Sequence, residues 1–77
     1  MALHHYKNRH RDSGVTAYEI GDDYIKVEFA GGPLYMYTHG IPGAGHVERM
    51  KKLALQGQGL STYISRNIRE NYAERLR

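Results

Sequence analysis

The sequence predicts an α+β fold: a three-stranded antiparallel meander followed by two α-helices packed on one sheet face, in the order βββαα. Three observations predict it. Val15 to Ile20 and Tyr24 to Phe29 are alternating, β-rich runs on either side of the turn-forming cluster Gly21-Asp22-Asp23. After His39-Gly40-Ile41-Pro42-Gly43 the apolar spacing changes from two to about 3.6 residues. The chain has 77 residues and no cysteine, so it makes one domain held by packing alone, without disulfides or thiolate metal sites.

Residues 1–12 are mostly polar and show no periodicity, which predicts a flexible basic N-terminal arm ahead of a single domain over 13–77. The two β-rich runs should pair as a hairpin. In the simplest register Thr16, Tyr18 and Ile20 share a face with Ile25, Val27 and Phe29, leaving Glu19, Lys26 and Glu28 on the other. Gly31-Gly32 then turns the chain into a third strand, Leu34 to Thr38, and Pro33 suits the start of an edge strand because no ladder donor is required of it. The facing of Tyr35 and Tyr37 depends on that turn. With only Gly31 and Gly32 in the loop both tyrosines point away from the apolar face, and one further residue in the loop turns both toward it.

Val47, Met50, Leu53 and Ala54 fall on one stripe of the first helix, with Arg49 and Lys52 opposite. Gln56-Gly57-Gln58-Gly59 breaks this helix, and a second begins at Leu60 or Ser61 with Gly59 or Ser61 as N-cap. Its buried stripe is predicted to be Leu60, Tyr63, Ile64, Ile68 and Tyr72, so that Arg66, Arg69 and Arg77 point away.

The net charge of +3 divides unevenly: +2 over residues 1–12, −3 over 13–39 and +4 over 40–77. An acidic strand half thus precedes a basic helical half, and the basic half is the part that suits a polyanion. No apolar run approaches the roughly 20 residues that span a bilayer, and the N-terminus lacks a signal-peptide core, so a cytoplasmic protein without a membrane partner is expected. The histidines, His4, His5, His10, His39 and His46, show no constrained ligand spacing, and no metal is expected. Ser13, Ser61 and Ser65 sit in no nucleophile-elbow pattern, and Ser61 reads as a helix cap; neither catalysis nor a cofactor is expected. Gly57-Gln58-Gly59 lacks the Gly-Lys-Ser/Thr ending of a phosphate-binding loop and reads as a chain reversal.

Two groups of residues carry candidate chemistry. Arg49, Lys51, Lys52, Arg66 and Arg69 form a basic helical surface, and arginine presents a planar fork that suits phosphate oxygens and stacks on bases. Arg66 and Arg69 lie one turn apart, within reach of one anionic backbone. The competing reading is a solvated face on which Glu70 pairs with Arg66 or Arg69. Tyr35 and Tyr37 form the second group: core packing is the first expectation for them, and a platform stacking on unpaired bases the second.

The order V-x-A-Y…I-K-V-E-F-x-G-G-x-L-Y-M-Y…I-P…G-x-G…Y-I-S-R-N-I-R-x-x-Y, running from Val15 to Tyr72, resembles the KTSC domain. That module occurs at the C-terminus of some lysyl-tRNA synthetases and as a stand-alone bacterial protein. Tyr35, Tyr37, Pro42, Tyr63, Ile68, Arg69 and Tyr72 fit its pattern, while Ser65 and Ile64 replace a common Asn and Phe, and the segment before Ile41-Pro42 is one residue longer. The family's often polar residue between its two tyrosines implies that the pair faces inward. The resemblance also implies RNA binding, which makes a small non-catalytic module binding RNA or other nucleic acid the leading expectation. The alternative is a protein-interaction or accessory domain docking through its sheet edge or basic helix.

Overall fold

The computed structural model describes residues 3–7 and 14–77. Its architecture is α+β, with one antiparallel sheet in the order β1-β2-β3-β4-β5 and two helices. The strands are β1 (His4–His5), β2 (Val15–Ile20), β3 (Tyr24–Phe29), β4 (Leu34–Thr38) and β5 (Glu74–Arg75); the helices are α1 (Ala44–Gln56) and α2 (Leu60–Tyr63), the latter continued by a π-helical turn over Ile64–Ile68. The expected three-stranded meander is therefore the centre of a five-stranded sheet.

The β2–β3 hairpin forms across Gly21, whose N–H donates to the Tyr24 carbonyl at 3.0 Å. Ile20 pairs with Ile25 and Tyr18 with Val27, which places these four on the helix side of the sheet. The prediction for Thr16 is corrected by a bulge. Val15 pairs with Phe29 and Ala17 with Glu28, so Thr16 is the extra residue and Val15 takes its place in the core. The Thr16 hydroxyl instead donates to Glu28 Oε1 at 2.8 Å on the far face. There Glu19 accepts from the Tyr24 hydroxyl at 2.8 Å and approaches Lys26 Nζ at 3.5 Å, and these two contacts, the Tyr24 bond first, hold its carboxyl below the usual carboxylate range.

The first helix is as expected. Val47, Met50 and Ala54 are buried against β3 and β4, with Leu53 half-buried beside them. Gly57 ends it at φ 75, donating to the Leu53 and Ala54 carbonyls; a Cβ at Gly57 would lie 2.5 Å from Lys7 Cβ, so both backbone conformation and space require glycine there.

The second helix is shorter than predicted. Gly59 rather than Ser61 is its N-cap, and no side chain caps it. Its first N–H, that of Leu60, donates to the Tyr6 hydroxyl at 3.2 Å. Tyr6 is 1% exposed and belongs to the core with Val15, Ile25, Val27, Tyr37, Met50 and Leu60. Its own N–H donates to the Thr16 carbonyl at 3.0 Å, next to the pairing of His4 with Tyr18 and His5 with Ala17. The arm expected over 1–12 is thus corrected for residues 3–7, which belong to the folded unit; residues 1, 2 and 8–12 lie outside the described residues. At the other end, the Arg69 N–H reaches the Ile64 carbonyl at 2.6 Å, widening the helix, and the chain leaves it at Arg69 with φ 53. Leu60, Ile64 and Ile68 keep the predicted buried stripe, but residues beyond Ile68 are not helical.

Candidate functional site

The chain reversal after Ile68 builds a cleft at the β4–β5 edge of the sheet. Two local features create it. In the first, the Phe29 N–H donates to the Pro33 carbonyl at 2.8 Å, so three residues, Ala30, Gly31 and Gly32, form the β3–β4 loop. Val27 then pairs with Tyr35 and Ile25 with Tyr37, which turns both tyrosines to the helix side. The inward facing is thereby settled, and Tyr37 is 1% exposed.

In the second feature, the Asn71 N–H donates to the Ile68 carbonyl at 2.9 Å, closing a β-turn with Arg69 at its first central position. Arg69 has φ 53 and ψ −119, the values a type II′ turn requires there and glycine normally supplies. A residue with a Cβ in this region costs about 1–3 kcal/mol. The turn sends the chain back along β4, where Tyr35 pairs with Arg75 and Met36 with Glu74.

The result is a cleft of about 370 Å³. β3 and β4 supply Phe29, Tyr35 and Tyr37, the π turn supplies Ile64, and the returning segment supplies Arg69, Glu70, Tyr72 and Arg75. Its aromatic rings are mutually packed: Tyr35 lies 4.6 Å from Tyr72 and 5.7 Å from Phe29 between centroids, and Tyr37 meets Tyr72 nearly edge-on at 6.5 Å. The Arg75 guanidinium sits over the Tyr35 ring at 5.6 Å while its Nε donates to the Arg77 carbonyl at 3.0 Å. Burial, with the neighbouring hydroxyls of Tyr35 and Tyr72 adding to it, pushes the Tyr37 phenol well above its ordinary value, so it remains a neutral hydroxyl.

Arg69 and Glu70 line this cleft, yet neither side chain makes an ion pair or hydrogen bond among the described residues. The pairs of Glu70 with Arg66 or Arg69, which a purely solvated face would use, do not form among those residues. Two cations and one carboxylate therefore stand beside tilted and edge-on aromatic rings, two of the three charged groups without partners among the described residues. That combination offers a π surface for a planar ring and guanidinium donors for an anion.

Of the residues predicted from sequence, the cleft gathers Tyr35, Tyr37 and Arg69, and leaves out Arg49, Lys51, Lys52 and Arg66. Lys51 is committed elsewhere: its ammonium donates to Glu48 Oε2 at 2.8 Å and to the Asp22 carbonyl at 2.9 Å, pinning α1 to the β2–β3 turn. Lys51, followed by His39 at 2.8 Å from the same oxygen, holds the Glu48 carboxyl below its usual range. Arg49, Lys52 and Arg66 are exposed and have no such ties among the described residues. Arg77, expected beside Arg66 and Arg69, is drawn to the far face by Glu28 and the Gly32 carbonyl, the latter at 3.3 Å. His46 Nδ1 lies 2.7 Å from the Tyr63 hydroxyl, and no group of three or more His, Cys, Asp or Glu able to hold a metal occurs among the described residues. No helix among them is long and apolar enough to cross a membrane. Sequence reasoning missed Phe29, Glu70, Tyr72 and Arg75 as site residues; only the doubled Tyr35/Tyr37 and the basic bias of residues 40–77 pointed toward them. The chain matches no family's sequence profile, no curated protein and no solved structure.

Proposed function

We propose that this chain is a small non-catalytic module that binds single-stranded nucleic acid, with one nucleotide seated in the aromatic cleft. The observation that carries the reading is Arg69: a guanidinium without an ion pair or hydrogen bond among the described residues, lining a cleft walled by Tyr35 and Tyr72 and held there by a turn that would be more stable with glycine. An unpaired base stacked on the tyrosines gains about 1–3 kcal/mol, and Arg69 and Arg75 take the adjoining phosphate. Arg66, exposed just before the turn, adds a further phosphate contact. The KTSC-like residue order supports RNA over DNA as the ligand.

The test is fluorescence anisotropy with a labelled mixed-sequence RNA at low and moderate salt. Three arginine–phosphate contacts give a slope of log K against log salt of about −2 on a single strand. Arg69→Ala and Tyr72→Leu should each weaken binding by about tenfold, and a duplex of the same sequence, whose bases are stacked away, should bind less well. Salt-insensitive association, or binding untouched by Arg69→Ala, overturns the reading.

A second observation supports a protein-interaction role. Leu55 is 63% exposed beside His4, Tyr18 and Ile20, with which it lines a groove of about 460 Å³. Self-association in sedimentation experiments that Leu55→Asp abolishes would favour it.

A further inference from the structure

The cleft contains a group that phosphate binding does not explain, the carboxylate of Glu70. We propose that Glu70 is a specificity-determining residue that selects guanine over uracil, an inference that rests on the nucleic-acid reading above.

Glu70 is the second central residue of the turn that carries Arg69, and it lines the cleft together with Arg69 and Arg75. It forms no ion pair with either of them, nor any side-chain hydrogen bond among the described residues. A carboxylate this close to an anion site opposes phosphate, so a cleft serving phosphate alone would bind more tightly without it. With Glu70 present, the lining carries two positive charges and one negative. That net single charge matches one internal phosphodiester better than a terminal phosphate dianion. The carboxylate is then left for the base.

A carboxylate is an acceptor only, with two oxygens side by side. Guanine offers two adjacent donors on its pairing edge, N1–H and the N2 amino group, which meet both oxygens at once. Uracil offers a single N3–H flanked by two carbonyl oxygens, each of which the carboxylate repels. Adenine and cytosine fall between, with one exocyclic amine each next to a ring nitrogen acceptor. A well-formed bidentate contact of this kind discriminates by about tenfold or more. The cleft's 370 Å³ leaves room for one nucleotide, so the preference should concern a single position in the strand.

The experiment measures anisotropy for wild type and Glu70→Gln with three labelled RNAs: a short oligouridylate, the same strand with one central guanosine, and the same strand with inosine there, which keeps N1–H and lacks the amino group. Wild type should bind the guanosine strand about tenfold more tightly than oligouridylate, with inosine between, and Glu70→Gln should bring all three within about twofold. The Glu70 side chain is exposed and makes no ion pair or hydrogen bond among the described residues, so an unchanged melting temperature for Glu70→Gln accompanies the expected result. Equal wild-type affinity for the three strands overturns the inference and leaves the nucleic-acid reading standing, as does a guanosine preference that survives in Glu70→Gln. Absence of binding to all three strands overturns both.

Discussion

Each edge of the sheet ends in a two-residue strand, β1 on one side and β5 on the other, yet the two are put to opposite uses. At the β1 edge the following residue, Tyr6, is driven into the core and its hydroxyl completes the first turn of α2. At the β5 edge Tyr72, two residues before the strand, is only half-buried, and the strand beside it leaves a cleft open with Arg69, Glu70 and Arg75 on its lining. One edge spends its aromatic residue on closure, the other on display. Two short strands with equally little intrinsic stability can therefore differ in role because of where their neighbouring aromatic ring is placed and whether its polar atoms find partners inside the protein.

The largest effect should come from breaking the closed edge. Tyr6→Ala removes a fully buried ring and should destabilise the fold by about 3–5 kcal/mol in urea unfolding, whereas Tyr72→Ala, which empties part of an open cleft, should cost less than half of that. Equal losses would mean that the two edges do not differ as described. Within the same edge, Tyr6→Phe keeps the ring but leaves the Leu60 N–H without its acceptor, a loss of about 1 kcal/mol.

Arg69→Gly sharpens the contrast from the other side. Glycine relieves the type II′ position, so the variant should be more stable by about 1 kcal/mol while its RNA affinity falls. A substitution that raises melting temperature and lowers binding marks a residue retained for the ligand. If Arg69→Gly were less stable than wild type, the strain described for that turn would be absent.

The smallest effect concerns Tyr37, which lines the cleft from its buried side. Its phenol is raised in the folded protein by burial and by Tyr35 and Tyr72, so its contribution is fully present below its ordinary value of 10.0 and is lost as pH rises above that value. Measured from neutral pH to above pH 10, the stability of wild type should run parallel to that of Tyr37→Phe below that value and fall more steeply above it. In an ultraviolet titration Tyr37 should resist ionisation until the protein unfolds, so Tyr37→Phe should lack a late-ionising component that wild type shows.

The parts of this fold that were legible in the sequence are those with local, repeated signals. The β2–β3 hairpin has alternation on both sides of a turn cluster, and α1 has a four-residue apolar stripe closed by a glycine. The ends were not legible, for different reasons. His4–His5 is too short to show a period, and the Tyr6 hydroxyl meets its donor, Leu60, 54 positions away. Beyond Ile68 the spacing of Ile64, Ile68 and Tyr72 fits a continuing helix as well as it fits the actual turn and strand, because apolar spacing records which residues are buried and not the backbone path between them. The bulge at Thr16 was hidden because threonine continues a β-rich run equally well on either face. The site followed the same division. Tyr35, Tyr37 and Arg69 were recognisable by residue type, but Lys51 was lost to Glu48 and Asp22, and Tyr72, Glu70 and Arg75 reach the cleft only through a reversal that no local pattern announces.

The turn at Arg69 also makes a forecast about descent. On the proposed reading, random substitution in a lineage that no longer needs the ligand meets no opposition to glycine at this position and gains a more relaxed backbone from it. Lineages under selection for binding are held to a side chain that their own backbone disfavours. The identity of this one residue in a descendant should therefore report whether the cleft is still in use, before any ligand has been tried on it.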